Sequence, residues 1–402
     1  MIPRLKPYLG RDEFTALWMH EKDAVVNFEK EFARKFEANE AVAFPYGRSA
    51  LWAFFKALGI EQAEIVQPAY TCSVVAHATV LSSNTPRFVD CTLSDYNMDL
   101  HHFASAINQH TRAVIPTHLF GYPMDIDAVQ DIVQSCERRF GHKLWVIQDC
   151  AHSFGARWQG KPVETAGDGA LFGLNISKMI TSIFGGMLTF QDKAVAGQVR
   201  AWRDEHFIQP SWIKTWLRRL YLLAVYAAFN ESLYGLVYWL QERTPLLNRL
   251  TRAYHLDEKI HFPPDYLHRI IDVEARVGLA QLGKYDEIIQ KRRETADYYF
   301  EHLRPPDGWV MPPRVEGATY SHFVIRVPER QVVLRAAAAR GVQLGQLIEY
   351  SIPHMQSYRT YAGDGEFPNA GLCSNSFVNL PVYPGLKEKK YAGITNLLNT
   401  FE

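Results

Sequence analysis

Short apolar segments alternate with helical patterns through the first half of the chain, and this alternation limits the fold more than any other feature. Six predicted strands lie at Glu64–Gln67, Arg87–Asp90, Ala113–Pro116, Trp145–Gln148, Ala170–Leu174 and Met187–Phe190. Helical stretches between them lie at Ser49–Leu58, Met124–Glu137 and Ala194–Asp204. This order is typical of an α/β domain with a large, mostly parallel sheet flanked by helices.

The length and the C-terminal pattern predict a second, smaller domain. The chain has 402 residues, too many for one small core. A long helix is predicted over Ile271–Tyr299, and Pro305–Pro306 interrupts the chain soon after it. Strand and helix signals then lie at His322–Val327, Gln331–Arg340, Phe377–Leu380 and Lys387–Asn399. We therefore expect a large domain over residues 1–304 and a small α+β domain over residues 305–402.

Residues 207–254 form a helical insertion that is rich in Trp, Tyr and Leu. Its longest uncharged apolar run, Leu220–Phe229, is ten residues long, whereas a helix that spans a bilayer needs about 20 apolar residues. The first interpretation is that the insertion packs on the core or on a partner subunit. The second is an interfacial helix pair that lies on a membrane, because amphipathic stretches with aromatic residues and flanking Arg bind bilayers.

Composition excludes several classes of protein. Lys plus Arg and Asp plus Glu number 43 each, which argues against a general nucleic-acid binder. The five cysteines lack the CxxC spacing of a zinc ribbon and do not form a disulfide framework, so we predict no metal site and a reducing compartment. The first seven residues lack the apolar core of a signal peptide, and we therefore expect the protein in the cytoplasm. If the insertion forms an interfacial helix pair, we expect the protein at the surface of a membrane there.

Asp149 and Lys178 carry the chemistry that the sequence predicts. Asp149 ends an apolar strand, and Lys178 follows the next strand, ahead of Gly185–Gly186. A carboxylate and an amine in these positions suit pyridoxal phosphate, since the amine forms a Schiff base with the aldehyde and the carboxylate keeps the pyridine nitrogen protonated. Burial lowers the pKa of such a lysine and favours its nucleophilic form. Taken alone, Lys178 also fits a surface lysine, and Asp149 an N-cap.

Two further features fit the same cofactor. Tyr46–Gly47–Arg48–Ser49 predicts a turn that opens a helix, where free backbone N–H groups and the helix dipole attract a phosphate. Arg48 adds a charged fork and Ser49 a hydroxyl. His152 follows Asp149 by three residues and is close enough to meet the cofactor ring, although a buried core histidine explains it equally well.

Nine short blocks of sequence follow one another in an order that is specific to one enzyme family. They are Gly47–Leu51, Val66–Thr71, Arg87–Asp90, Tyr96–Asp99, Pro116–Gly121, Gln148–Ala156, Gly278–Leu282, Arg292–Arg293 and Leu380–Pro384. In these blocks the chain resembles the DegT/DnrJ/EryC1/StrS family of pyridoxal-phosphate sugar aminotransferases. The resemblance implies the fold-type-I fold of the aspartate aminotransferase superfamily.

The same resemblance implies roles for the site residues. Lys178 is then the Schiff-base lysine and proton shuttle, Asp149 the partner of the pyridinium nitrogen, and His152 a contact of the ring. The implied phosphate ligands are Gly47, Arg48 and Ser49.

The chain departs from the family pattern at three positions near the cofactor. Cys72 stands where the family often has an aromatic residue on the ring, so the resemblance places Cys72 there, with Tyr70 as an aromatic substitute. Gly173 replaces a phosphate-binding Ser, and Leu267 replaces an Asn that reaches the phosphate from the partner subunit. These changes motivate one alternative, a non-catalytic sensor or interaction protein that keeps the fold.

The resemblance implies a homodimer that moves an amino group from glutamate or glutamine to a keto group of a nucleotide-linked sugar. Glycan, lipopolysaccharide or antibiotic-sugar biosynthesis is the expected context. A further alternative is a pyridoxal-phosphate sugar dehydratase. Lys178 disfavours it, because a histidine replaces the lysine in those relatives.

Overall fold

The computed structural model describes residues 1–243 and 259–401, with the backbone alone for residues 241–243. Its main sheet has seven strands in the order β1-β9-β8-β5-β4-β2-β3. Their bounds are β1 Glu40–Phe44, β2 Glu64–Pro68, β3 Thr85–Val89, β4 Thr111–Val114, β5 Trp145–Asp149, β8 Gly169–Gly173 and β9 Gly186–Phe190, and the hairpin β6–β7 (Arg157–Trp158, Lys161–Pro162) lies outside the sheet. Strand β9 runs antiparallel to both neighbours, and the other pairs along β8-β5-β4-β2-β3 are parallel. The predicted α/β fold with a mostly parallel sheet is confirmed.

All six predicted strands are present, and each end lies within two residues of the prediction. Strand β1 was not predicted. Its sequence, Glu-Ala-Val-Ala-Phe, is short, and four of its five residues are buried, so it lacks the alternation that marks a half-exposed strand.

Helices cover the sheet and connect its strands. In the described residues they are α1 Arg11–Ala16, α2 Ala24–Lys35, α3 Gly47–Ala57, α4 Val74–Leu81, α5 Leu100–Ala106, α6 Ile126–Phe140, α7 Lys193–His206, α8 Trp212–Ala228, α9 Tyr234–Arg243, α10 Asp272–Leu282, α11 Tyr285–His302, α12 Arg330–Ala339, α13 Arg359–Ala362, α14 Pro368–Ser376 and α15 Glu388–Leu398. Helix α6 shows how the sequence sets the bounds. Asp125 caps its first turn by accepting from the N–H of Ala128, and Gly141 ends it in the left-handed conformation.

The single helix predicted over Ile271–Tyr299 is wrong. Two helices, α10 and α11, take its place, and Gly283 and Lys284 separate them. Glycine is a poor helix former, and the amine of Lys284 turns to the carboxylate of Glu13 at 2.8 Å. The apolar pattern continues across the break, so periodicity alone did not reveal it.

The C-terminal part of the chain has its own small sheet and core. Strands β10 (Phe323–Arg326) and β11 (Phe377–Leu380) pair antiparallel. Their buried side chains join a cluster with Tyr299 and with aromatic residues of the first half, such as Phe120. The core is therefore continuous between the two parts, and the domain boundary at residue 304 stays a prediction.

The insertion packs on the core through α8. Leu222 and Val225 join Leu17 and Phe184 in a buried cluster, which confirms the first interpretation for this helix. Its opposite face leaves large apolar side chains in solvent, and Trp212 is 72% exposed. Residues 244–254 of the predicted insertion lie outside the described residues. No helix of the described chain is long and apolar enough to cross a membrane.

Candidate active site

The two residues that the sequence singled out follow neighbouring parallel strands. Asp149 is the last residue of β5, and it lies opposite Leu171 of β8 in the parallel register. Lys178 follows the end of β8 by five residues. Both side chains therefore belong to the carboxyl edge of the sheet, which is where ligands bind in open α/β folds.

A tight turn fixes Lys178. The side-chain oxygen of Asn175 accepts from the N–H of Ser177 at 3.0 Å, and the N–H of Lys178 donates to the carbonyl of Asn175 at 3.0 Å. Beyond the lysine, the hydroxyl of Thr181 donates to the carbonyl of Leu174 at 3.1 Å. The segment that carries the amine is thus held at both ends by short-range hydrogen bonds.

Asp149 and Lys178 line one cavity of 340 Å³, which we call the inner cavity. Its other walls come from the start of α3, the start of α4, the segment after β8 and the C-terminal part. They include Gly47, Arg48, Cys72, Gly173, Asn175, Tyr350 and Met355. Pockets of a few hundred cubic ångströms are typical of small-molecule and cofactor sites.

The electrostatics of the inner cavity suit an amine nucleophile. Burial lowers the pKa of Lys178, and nearby Cys72 and Asp149 oppose that effect. Burial also raises the pKa of Asp149. Two groups oppose this shift by lowering the pKa: the N–H of Ala151, which donates to Oδ1 at 3.0 Å, and Lys178. The two side chains act on each other across the cavity, and neither is the other's direct hydrogen-bond partner among the described residues. A cation between them would favour the ionised form of Asp149.

The start of α3 offers free backbone N–H groups and an arginine beside the inner cavity. The first intrahelical bond runs from Ala50 to Tyr46, so the N–H groups of the first turn have no helical partner. Gly47 and Arg48 line the inner cavity. At Gly186 a Cβ atom would lie 2.4 Å from the nitrogen of Gly47, so glycine is required where β9 passes this turn.

Ser49 differs from its two neighbours. Its side chain is fully buried, its hydroxyl donates to the carbonyl of Tyr266 at 2.9 Å, and it does not line the inner cavity. The structure therefore brings Gly47 and Arg48 together with Lys178 and Asp149, and directs the Ser49 hydroxyl elsewhere. Nothing in the local sequence distinguishes these outcomes, because Tyr266 lies 217 residues away.

A second cavity of 630 Å³, the outer cavity, adjoins the first, and Lys178, Cys72 and Tyr350 line both. His152 lies in the outer cavity, with its ring 6.2 Å from that of Phe120 in a stacked arrangement. His322 faces it with ring centroids 4.8 Å apart. Burial lowers the pKa of both histidines, and Lys178 adds to this effect, so both rings are neutral near pH 7.

Several residues of the outer cavity escaped sequence reasoning. Arg4 comes from the N-terminal segment, His322 from the residue before β10, and Tyr350 from the segment after α12. The N–H of Ser73 donates to the hydroxyl of Tyr350 at 3.0 Å, which places this aromatic ring beside Cys72. No local motif marks these residues, because they approach Lys178 only in the folded chain.

Tyr70, the aromatic substitute considered at the cofactor ring, does not line either cavity. It is buried in the C-terminal core, and its hydroxyl donates to the carbonyl of Leu347. Tyr350 is the aromatic residue that lies at the inner cavity next to Cys72. The site therefore has an aromatic side chain beside Cys72, although Tyr350, which supplies it, comes from a distant part of the chain.

Comparisons with known proteins place the chain in a family. The model of the DegT/DnrJ/EryC1/StrS aminotransferase family matches residues 12–399. The chain is 25% identical to the spore coat polysaccharide biosynthesis protein SpsC of Bacillus subtilis, over 96% of this chain and 93% of that protein. It is 26% identical to GDP-perosamine synthase of Caulobacter vibrioides, over 90% of this chain and 86% of that protein.

A solved structure has the same fold. The sugar aminotransferase CalS13 from Micromonospora echinospora superposes with a TM-score of 0.79, at 18% identity and over the whole of both chains. The family model covers nearly the whole chain, and the shared fold is consistent with it. The chain belongs to the DegT/DnrJ/EryC1/StrS aminotransferase family, and it is an aminotransferase.

Proposed function

We propose that this aminotransferase uses pyridoxal phosphate to move an amino group from glutamate or glutamine to a keto group of a nucleotide-linked sugar. The observation that carries the proposal is the shared cavity of Lys178 and Asp149 at the carboxyl edge of the sheet. The names of SpsC and GDP-perosamine synthase support a sugar acceptor.

The donor set of the inner cavity fits pyridoxal phosphate. The ring needs an anion for its protonated nitrogen, and Asp149 is a buried carboxyl whose pKa is raised by burial, so that a cation beside it would favour its ionised form. The phosphate needs N–H donors and positive charge, which the first turn of α3 and Arg48 supply. The aldehyde needs a neutral amine, and burial lowers the pKa of Lys178. Cys72 and Tyr350 complete the walls.

When bound, this cofactor supplies a ring that accepts electron density from the carbon next to the reacting nitrogen. The chain then has two tasks. Nζ of Lys178 takes the proton from the α-carbon of the donor and later delivers a proton to the acceptor, as general base and acid. Asp149 holds a protonated ring nitrogen through a charge-assisted hydrogen bond. The family's usual homodimer and the cytoplasmic location are part of this proposal.

A spectrum of the purified protein tests the cofactor and the first half-reaction. We expect pyridoxal phosphate to give a visible absorbance band that glutamate or glutamine removes. Lys178→Ala should abolish both the band and turnover, whereas Lys193→Ala, at the exposed start of α7, should leave them unchanged. An unaltered band and retained turnover in Lys178→Ala would overturn the assignment.

The mass of the product tests the second half-reaction. With a nucleotide-linked keto sugar as acceptor, replacement of the carbonyl oxygen by an amine supports the proposal. Loss of water without gain of nitrogen would instead identify a sugar dehydratase.

A further inference from the structure

A third cavity, of 760 Å³, lies away from the active site, between the end of α1 and helices α2, α8 and α10. It shares no lining residue with the inner or the outer cavity. We call it the arginine cavity, because four arginines line it: Arg203, Arg219, Arg269 and Arg276.

Two of these residues, Arg219 and Arg276, form an adjacent pair, which we call the arginine pair. Arg276 is 6% exposed, and its hydrogen-bond partner among the described residues is neutral, the carbonyl of Ala16, which accepts from Nε at 2.9 Å. Burial lowers the pKa of Arg276, and Arg219 lowers it further, whereas Asp272 and Glu21 raise it. The buried Nε of Arg219 has no hydrogen-bond partner in the described chain. Buried cations are costly unless an anion pairs with them.

The acids of the cavity wall do not supply this anion. Asp204 forms ion pairs with Arg203 at 3.0 Å and with Arg269 at 3.6 Å. Asp23 and Asp272 are exposed, and neither forms an ion pair with the arginine pair within the part of the chain that the structure describes. The arginine cavity therefore offers positive charge to an anion from outside the chain.

An exposed apolar face adjoins the arginine cavity. The guanidinium of Arg219 lies 4.9 Å from the centre of the Trp216 ring and 5.3 Å from that of Trp18. The two rings meet edge to face, with their centres 6.3 Å apart. One side of α8 packs on the core, and its other side continues this face into solvent. We call the following side chains, all at least 46% exposed, the tryptophan face: Trp18, Met19, Trp212, Ile213, Trp216, Leu217 and Leu220.

An anionic phospholipid matches both features. Its phosphate suits a pair of guanidinium groups, and its acyl chains suit the apolar side chains. Tryptophan is enriched where headgroups meet acyl chains, and an amphipathic helix lies in that plane with its apolar face about 5–10 Å deep. Helix α8, with 17 residues, is about 25 Å long and can lie along such a surface. A soluble phosphate would fill the cavity and leave the tryptophan face in water.

A second copy of the chain fits this surface less well. Helix α8 contains no Asp or Glu, and its solvent side is apolar. A twofold contact centred on the tryptophan face would bring the two copies of Arg219 toward each other, because the same patch faces itself in such a contact. The positive charge would then stay without an anion.

We propose that the tryptophan face and the arginine pair dock this protein on a bilayer that contains anionic phospholipids, with a lipid phosphate bound in the arginine cavity. The inference does not depend on the proposed reaction, since the cavities that hold Lys178 lie elsewhere.

Co-sedimentation of the full-length, cofactor-loaded protein with lipid vesicles tests the proposal. We expect wild type to bind vesicles of equal parts phosphatidylglycerol and phosphatidylcholine at least about tenfold more tightly than vesicles of phosphatidylcholine alone, because two arginines meet anionic headgroups. Leu217→Glu should weaken this binding at least about tenfold, because it places a carboxylate in the apolar face. Leu372→Glu, at an exposed leucine of α14, is the matched control and should bind like wild type.

The arginine pair is tested separately. Arg219→Gln should weaken binding to the phosphatidylglycerol vesicles about fivefold, because one headgroup contact is lost, and should leave the weak binding to phosphatidylcholine unchanged. Arg335→Gln, at an exposed arginine of α12, is the matched control. Arg276→Gln should act in the same direction as Arg219→Gln. If the buried position 276 does not tolerate the change, Arg219→Gln and Leu217→Glu, at more accessible positions, decide the outcome.

The proposal is overturned if wild type stays in the supernatant with phosphatidylglycerol vesicles, or if it binds both kinds of vesicle equally. Wild-type binding by Leu217→Glu or by Arg219→Gln would overturn it as well. Two further outcomes would replace the bilayer by another occupant. Calorimetric binding of sn-glycerol 3-phosphate that Arg219→Gln abolishes, without vesicle binding, would identify a soluble phosphate ester. A smaller assembly of Leu217→Glu than of wild type in analytical ultracentrifugation would identify a subunit interface.

Discussion

Replacing Arg218 by leucine should weaken the link between the helical insertion and the start of α3. Arg218 lies on α8, and its Nε donates to Glu274 of α10 at 2.7 Å. Its Nη2 forms an ion pair with Asp265 at 3.1 Å, and Asp265 accepts from the hydroxyl of Tyr46, the N-cap of α3, at 2.6 Å. The guanidinium also lies 4.0 Å from the centre of the Phe184 ring.

The magnitude follows from burial. The side chains of Arg218 and Glu274 are 14% and 1% exposed, so the substitution leaves a carboxylate in the interior without its ion-pair partner. Breaking a buried pair in this way costs about 3–5 kcal/mol. Asp265 loses less, because Lys214 stays 3.1 Å away. For a chain of 402 residues, an unfolding entropy of about 2.1 cal/mol/K per residue converts this loss to a Tm lower by about 4–6 °C.

Thermal unfolding of four proteins measures this coupling. They are wild type, Arg218→Leu, Glu274→Gln and the double variant. In wild type the N–H of Ile271 donates to the carboxylate of Glu274 at 3.1 Å. Glu274→Gln removes the negative charge and keeps an oxygen that can accept this hydrogen bond. The loss in free energy of unfolding should be smaller in the double variant than the sum of the losses in the two single variants, by at least about 2 kcal/mol, because no charge is then left unpaired. Strictly additive losses would refute the reasoning, and so would a Tm of Arg218→Leu equal to that of wild type.

Three further experiments concern the inner cavity and the start of α3. Gly173→Ser should raise the affinity for pyridoxal phosphate up to about tenfold in equilibrium dialysis, because the serine can point a hydroxyl into the cavity. Its Cβ would lie 3.2 Å from Cε of Lys178, a flexible side chain that can move aside. Weaker binding would contradict this prediction. Amine acetylation followed by mass spectrometry should show Lys178 reaching half-maximal labelling at a lower pH than exposed lysines, because burial lowers its pKa; the reverse order would contradict it. Ser49→Ala should lower the free energy of unfolding in urea by about 1 kcal/mol and leave cofactor affinity unchanged, because the Ser49 hydroxyl donates to the carbonyl of Tyr266. Arg48→Gln should lower cofactor affinity, because Arg48 lines the inner cavity. Weakened cofactor binding in Ser49→Ala would show that the hydroxyl contacts the phosphate.

The sequence predicted the inner half of the site because its signals are local. An apolar strand followed at once by a titratable residue marks Asp149, and the next strand marks Lys178 a few residues beyond it. Parallel pairing of β5 and β8 then brings the two together without any further information. The glycine turn before α3 is equally local, and Gly47 and Arg48 line the cavity as the pattern implies.

Side-chain direction and helix continuity were less predictable. Ser49 follows Arg48 directly, yet its hydroxyl bonds to a carbonyl that lies far along the chain. In α10 and α11 the apolar period runs through the break, and the amine of Lys284 is drawn to Glu13, again a distant partner. In both cases a contact with a distant residue, made only in the folded state, accompanies the observed conformation, and the local sequence does not distinguish it from the predicted one.

The outer half of the site has a different origin, and this bears on how substrate choice can change. Arg4 and His322 come from segments that the pairing of Ile2 with Val342 and the C-terminal core hold in place. Neither residue lines the inner cavity. Substitutions of Arg4 or His322 should therefore alter the donor or acceptor while the spectrum of the bound cofactor stays constant. A variant at position 4 that changed the cofactor band as strongly as the protein's affinity for glutamate would show that the two halves are coupled.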